Sequence, residues 1–113
     1  AGGVKIEVPE GYESLGAAFE AALHQAAHGK GQDRHGAGGL SQDDQIIGRV
    51  PRMMPLLAGL GGLVYQVGKK VVESTRLLEM DKGKPSRPQD ELLGAMVYAG
   101  RAWVLLEQSK GEG

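Results

Sequence analysis

The alternation of apolar and polar residues that is typical of a β-strand occurs once in this sequence of 113 residues, over residues 4–8 (Val-Lys-Ile-Glu-Val). No other segment has this pattern, and a lone strand cannot pair its own backbone N–H and C=O groups. The sequence therefore predicts an all-α fold. Residues 1–11 are expected to form an extended N-terminal arm, which is either frayed or paired with another copy of the protein.

The rest of the sequence has helical periodicity and predicts a small bundle of three long helices and one short helix, as a single domain over 1–113. The first helix is expected from Tyr12 to His28, where Gly29 is a suitable C-terminal glycine. Ser41 is the expected N-cap of the short helix, because two aspartates follow in its first turn.

Prolines mark the boundaries of the later helices. Pro51 and Pro55 predict a kink or break after the short helix. A long helix is then expected over 56–80, and a last one from Pro88 to about Gln108. The chain shows no internal repeat and no heptad register long enough for a coiled coil.

Each long helix has apolar residues that predict which side faces the core. The predicted core faces of the first and second long helices are Leu15, Phe19, Ala22, Leu23 and Ala26, and Leu56, Leu60, Leu63, Val64, Val67 and Val71. The last helix is apolar on two sides, which predicts a central place in the bundle or in an oligomer interface. Its apolar residues are Leu92, Met96, Ala99 and Trp103 on one side and Leu93, Val97 and Val104 on the other.

Large side chains for a core are scarce, because the sequence holds one Phe, one Trp and three Tyr against 19 Gly. Aromatic residues dominate core energetics, and a chain of this size buries only about two-thirds of its unfolded surface. We therefore expect a homo-oligomer, in which a second copy supplies the missing burial.

Composition excludes or disfavours several classes of function. There is no cysteine, so disulfides and thiolate metal sites are excluded. No apolar run approaches the roughly 18–20 residues that cross a bilayer, and no leader pattern is visible, so we expect a cytoplasmic protein without membrane contact. A net charge of −1, from 13 basic and 14 acidic residues, disfavours binding to bulk nucleic acid.

The segment Gly29–Leu40 is a candidate ligand-binding loop. It carries Lys30, Arg34 and His35, and its five glycines let backbone N–H groups approach an anion closely. A flexible linker has the same composition, so both interpretations stay open. The two helices that follow the loop, in the same or a neighbouring subunit, are expected to complete the ligand site with Asp44, Arg49, Lys69, Lys70, Glu73 and Arg76.

Two other motifs favour a structural role. His24 and His28 have the i, i+4 spacing of a metal pair, but Gln25 stands where a metalloprotease has its glutamate, which favours an exposed helix face. The glycines of 59–62 lack the strand–turn–helix context of a nucleotide-binding loop, which favours close helix packing or a helix break. No metal and no cofactor are expected.

The acids of the two long C-terminal helices resemble those of the all-α nucleotide pyrophosphohydrolases of the MazG-like group. The resemblance rests on Glu73, and on Asp90 and Glu91 ahead of an apolar helix. It implies pairs of acids on two helices that hold Mg²⁺ against phosphates. This sequence departs from that pattern, because Glu73 has no acid at 69, 70, 76 or 77 and Glu91 has none at 94 or 95.

A second resemblance covers more of the chain. It involves GKGQDRH at 29–35, DQ at 44–45, VGKKVVES at 67–74 and ELLGA at 91–95. These segments are similar to small uncharacterised helical proteins of bacteriophages and prophages. The resemblance implies a compact oligomer that sequesters a nucleotide immune signal or blocks a host enzyme.

Three functional hypotheses follow. In the first, the protein is a non-enzymatic oligomer that binds a small phosphorylated ligand, such as a nucleotide immune signal, with Lys30, Arg34 and His35 on the phosphate. The alternative is a phage-encoded inhibitor that binds a host factor through its helical surface and arm. The third is a metal-dependent nucleotide phosphohydrolase.

Overall fold

The computed structural model describes residues 6–28, 41–80 and 87–112. Within these ranges, all regular secondary structure is helical. The elements are α1 (Glu13–His28), a 3₁₀ turn (Gln42–Asp44), α2 (Ile46–Met53), α3 (Leu56–Met80) and α4 (Pro88–Glu112). The predicted all-α bundle of three long helices and one short helix is confirmed. Across the described ranges, each helix is too short or too polar to span a bilayer.

The N-terminal arm enters α1 through a turn. Tyr12 N donates to Pro9 O at 3.0 Å, and Gly11 has a φ of +90°, which a glycine adopts without strain. The arm then lies against α1, because a Cβ at Gly16 would come within 2.8 Å of Val8 Cγ2. Residues 6–8, the described part of the predicted strand pattern, form no strand.

The two prolines act differently from each other. Pro51 lies inside α2, whereas the chain breaks at Met54 and Pro55, between α2 and α3. Helix α2 then approaches α3 closely, because a Cβ at Gly59 would lie 2.6 Å from Pro51 O. The helix continues through Gly59, so close packing, one of the two structural roles favoured for these glycines, is confirmed at this position.

Helix α4 is the central element, as its two apolar sides predict. It contacts α1, α2 and α3. At its start, Asp90 Oδ2 accepts a hydrogen bond from Arg87 N at 3.1 Å, which satisfies one of the free N–H groups at a helix N-terminus. Gln25 Nε2 of α1 donates to Asp90 O at 3.4 Å. The helix extends four residues beyond the predicted end at Gln108.

The predicted core faces are only partly confirmed, because nine of their eighteen residues are buried or half-buried and nine are exposed. The buried apolar residues of the described chain are Ala22, Leu63, Ala95 and Leu105. Several residues assigned to the core from the sequence are instead exposed, namely Leu15, Phe19, Leu23, Leu56, Val64, Val71, Leu92, Ala99 and Trp103. Contacts through small residues bring helix backbones together and leave neighbouring large side chains outside.

Candidate functional site

Three of the predicted ligand residues, Lys30, Arg34 and His35, lie outside the described residues, as does the whole loop 29–40. The other six are exposed or half-buried and fall into two groups. Lys69, Lys70, Glu73 and Arg76 lie on α3, whereas Asp44 and Arg49 lie in the 3₁₀ turn and α2. The first group is level with Glu91 of α4, and the second is near Arg101, ten residues or about 15 Å further along that helix.

An ion-pair cluster joins α3 to the start of α4. Lys70 Nζ lies 3.1 Å from Glu91 Oε2 and 3.8 Å from Glu73 Oε2, and Lys69 Nζ lies 4.0 Å from Glu73 Oε1. The side chain of Glu91 is only 15% exposed, whereas that of Lys69 is 50% exposed. The structure thus brings three of the predicted ligand residues together, but as partners of each other.

The cluster has consequences for two of the functional hypotheses. Lys70 is already neutralised by two carboxylates, so it offers less charge to a phosphate than an unpaired lysine would. The ammonium of Lys70 also occupies the space between Glu73 and Glu91 where a metal ion would have to bind. Within 6–28, 41–80 and 87–112, no group of three or more His, Asp or Glu side chains could hold a metal ion.

The two histidines of α1 are near each other but solvent-exposed. The ring centroids of His24 and His28 are 5.0 Å apart, with the planes tilted by 55°. No third ligand-type side chain joins them among the described residues. Their geometry is that of neighbours on an exposed helix face.

Sequence reasoning missed a polar network around Arg101 of α4. Arg101 Nη2 donates to Asp43 Oδ1 at 2.8 Å, and Nη1 donates to Gln42 Oε1 at 3.3 Å. Gln108 Nε2 donates to the same Asp43 oxygen at 3.4 Å. Arg52 of α2 donates to Asp43 O at 2.7 Å. These contacts fasten the 3₁₀ turn and α2 onto α4.

A sequence signal for this network does exist. Arg101 is the only charged residue from Leu92 to Leu106, an apolar stretch of the central helix. A charge in such a position is expected to be paired, because leaving it buried and unpaired is costly. Its side chain is 9% exposed, whereas that of Asp43 is 54% exposed, so the pair lies at the edge of the helix interface.

Many large apolar side chains of the described chain are exposed. On α1, Leu15, Phe19 and Leu23 are 52%, 48% and 56% exposed, and Tyr12, just before the helix, is 58% exposed. We call these four residues the α1 ridge. A second set of exposed apolar residues lies on α3 and α4.

Comparison of the chain with protein-family models, with curated proteins and with solved structures gives no match.

Proposed function

We propose that this protein is a non-enzymatic interaction module that binds another protein through α1. The α1 ridge is the observation that carries the proposal. Single exposed apolar residues are ordinary on protein surfaces, but a contiguous row of large ones is characteristic of binding sites. The ridge includes two aromatic residues, which are enriched at protein interfaces.

The ridge has the spacing with which an amphipathic helix binds in an apolar groove. Tyr12, Leu15, Phe19 and Leu23 stand at i, i+3, i+7 and i+11, so they follow one side of the helix. The adjoining side of α1 is held on the bundle by a small residue, because Ala22 is the only buried residue of this helix. The large side chains are therefore available without any rearrangement of the bundle.

The class of partner comes from the resemblance to phage and prophage proteins. If the gene belongs to a phage, a host protein with an apolar groove is the expected partner, and binding would block that groove. The conformational cost is small, because α1 is already a helix before binding.

The test is a comparison of three baits in lysates of candidate bacterial hosts. Wild type and Glu20→Ser should retain the same host protein, and Phe19→Ser should lose it. Glu20 is an exposed neighbour of Phe19 on the same helix, so the two variants differ only in whether the ridge is changed. The purified partner should then bind Phe19→Ser at least about tenfold more weakly in calorimetry. If no host protein distinguishes the baits, the proposal is wrong.

A small phosphorylated ligand is the second candidate. Arg49 and Arg76 favour it, because both are exposed and the described residues give neither an ion-pair partner. Calorimetry against a panel of cyclic and linear nucleotides tests this hypothesis. Binding that survives Phe19→Ser and is weakened by Arg49→Ala supports the nucleotide site, and no heat from folded protein contradicts it.

A further inference from the structure

On the exposed side of α3, a large apolar residue recurs every seven residues. These residues are Leu57, Val64, Val71 and Leu78, which are 83%, 55%, 44% and 73% exposed. Small residues stand four positions after the first three of them, at Gly61, Gly68 and Thr75. Among residues 6–28, 41–80 and 87–112, a Cβ at either glycine would meet no atom within 4 Å. The line therefore alternates large apolar residues with small, uncovered ones, at the 3.5-residue spacing of a helix that packs on another helix.

Helix α4 has a matching apolar line. Its members follow one another in steps of four and three residues, and are Leu92, Met96, Ala99, Trp103 and Leu106. All of them except Met96 are exposed. In each line, more than half of the positions thus carry a large, exposed apolar side chain.

Helices α3 and α4 form an antiparallel hairpin, and the two lines lie at the same heights along it. Lys70 is level with the start of α4, where it contacts Glu91 and Gly94. The start of α3 is level with the later part of α4, because α2 contacts Gly59 while the adjoining 3₁₀ turn contacts Arg101. Counting from these contacts places Val71 beside Leu92, Val64 beside Ala99 and Leu57 beside Leu106.

Both lines also lie on the side of the hairpin that faces away from α2. Trp103 is two residues after Arg101, and therefore about 200° around α4 from the contact with the 3₁₀ turn. Val64 is five residues after Gly59, and therefore about 140° around α3 from the contact with α2. The lines form one surface, which we call the hairpin face.

The hairpin face has the size and chemistry for association with its own copy. Its seven large residues expose on the order of 100 Å² each, or about 700 Å² together, and a stable complex buries about 800 Å² per partner. Every residue of the two lines is uncharged. Such a surface meets its own copy without like-charge repulsion, and it offers no charged group to a nucleic acid or an acidic peptide.

We infer that two copies of this chain associate through the hairpin face into a four-helix bundle about a twofold axis. The two α3 helices run antiparallel, and the twofold axis crosses them at the level of residue 66. In this register Leu57 packs over Thr75 of the partner subunit, Val64 over Gly68 of the partner subunit, and Val71 over Gly61 of the partner subunit. Each of these three large residues meets a small one, as in knobs-into-holes packing. The inference uses a different surface from the α1 ridge and does not depend on the proposed function.

Sedimentation equilibrium of the full chain tests the inference. Wild type should have about twice the chain mass of 11.9 kDa. Val64→Glu should raise the dimer dissociation constant about 100-fold or more, because it places two carboxylates against each other in an apolar interface. Gly62→Glu is the matched control, because position 62 lies away from the face and is also open. It should leave the dissociation constant unchanged, and circular dichroism should show that both variants remain helical.

Two additional measurements keep the test decisive. Gly68→Leu should also dissociate the dimer, since the added side chain begins in open space within the described part of one copy but meets Val64 of the partner subunit. Trp103 is the only tryptophan and is 65% exposed, so its emission should shift to shorter wavelength as wild type associates. A wild type that stays monomeric, or a dimer that Val64→Glu leaves intact, overturns the inference. A monomer whose Trp103 emission shifts only with phospholipid vesicles also overturns it, in favour of a membrane surface.

Discussion

Gly59→Ala and Gly62→Ala add the same methyl group three residues apart on α3, and we expect only Gly62→Ala to raise the free energy of unfolding. A Cβ at position 59 would lie 2.6 Å from Pro51 O and 3.2 Å from Pro51 Cα. A Cβ at position 62 would meet no atom of the described chain within 4 Å. The pair therefore compares one chemical change in contact with α2 and in open space.

The magnitudes follow from two opposing effects. Alanine is a better helix former than glycine by about 1 kcal/mol, and both variants gain this. At position 62 nothing opposes the gain, so the free energy of unfolding should rise by about 1 kcal/mol. At position 59 the obstacle is backbone, which cannot rotate away, so α2 must shift at a cost of about 1–3 kcal/mol. The difference between the variants isolates that cost, because the helix-propensity gain cancels.

Urea unfolding followed by far-UV circular dichroism measures both free energies. All samples should have one protein concentration, because self-association makes the midpoint depend on concentration. An unchanged slope with urea shows that each variant exposes the same surface on unfolding. Equal stabilisation of the two variants would refute the contact between α2 and α3, and equal destabilisation would refute an uninterrupted helix through 59–62.

Three further substitutions, two of them paired with a control variant, test polar contacts by urea unfolding. Lys70→Met should lower the free energy of unfolding by about 1–3 kcal/mol, because it leaves the mostly buried Glu91 without its cation. Lys69→Met is the control and should change the free energy of unfolding by less than about 0.5 kcal/mol. Arg101→Met should lower it by about 1–3 kcal/mol, because it removes two hydrogen bonds to the 3₁₀ turn. Asp90→Ala should lower it by about 1 kcal/mol, because a helix-start N–H loses its acceptor, whereas Asp90→Asn keeps an acceptor oxygen. An unchanged free energy in Lys70→Met, Arg101→Met or Asp90→Ala contradicts the corresponding contact.

The bounds of the helices could be predicted where the chain carries a backbone signal. Helix α3 has the bounds expected from the sequence, because Pro55 separates it from α2. The C-terminal end of α4 was predicted four residues too early, because the residues after Gln108 contain no proline and the helix continues through Gly111.

The buried faces could be predicted only in part, because the helices have apolar residues around more than one side. Periodicity identifies which apolar residues lie together, but it does not say which edge of a wide apolar arc meets the neighbour. On α3, Leu63 and Val64 are adjacent, yet Leu63 is buried and Val64 is exposed. The seven-residue line beginning at Leu57 was also missed, since glycine or threonine occupies every second position and hides the apolar repeat.

The candidate site was only partly predictable for a related reason. The i, i+4 spacing of Lys69 and Glu73 predicts an ion pair within one helix. The pairing of Lys70 with Glu91 depends on how α3 and α4 are aligned, which no spacing within one helix specifies. Arg101 could have been predicted to need a partner, but Asp43 is 58 residues away along the chain.

The many glycines, which composition alone counts as a cost to helix stability, have a geometric role in this fold. Gly59 allows the backbone of α2 to approach α3, and Gly48 allows the 3₁₀ turn to approach α2. Close approach of backbones buries little side-chain area, so the large apolar residues remain on the outside of the bundle. Gly61 and Gly68 have no such neighbour among the described residues of one copy, although they have the same chemistry and lie on the same helix as Gly59. These two open positions can accept the backbone or a large side chain of a second copy. The same contact would shield the neighbouring apolar residues from water.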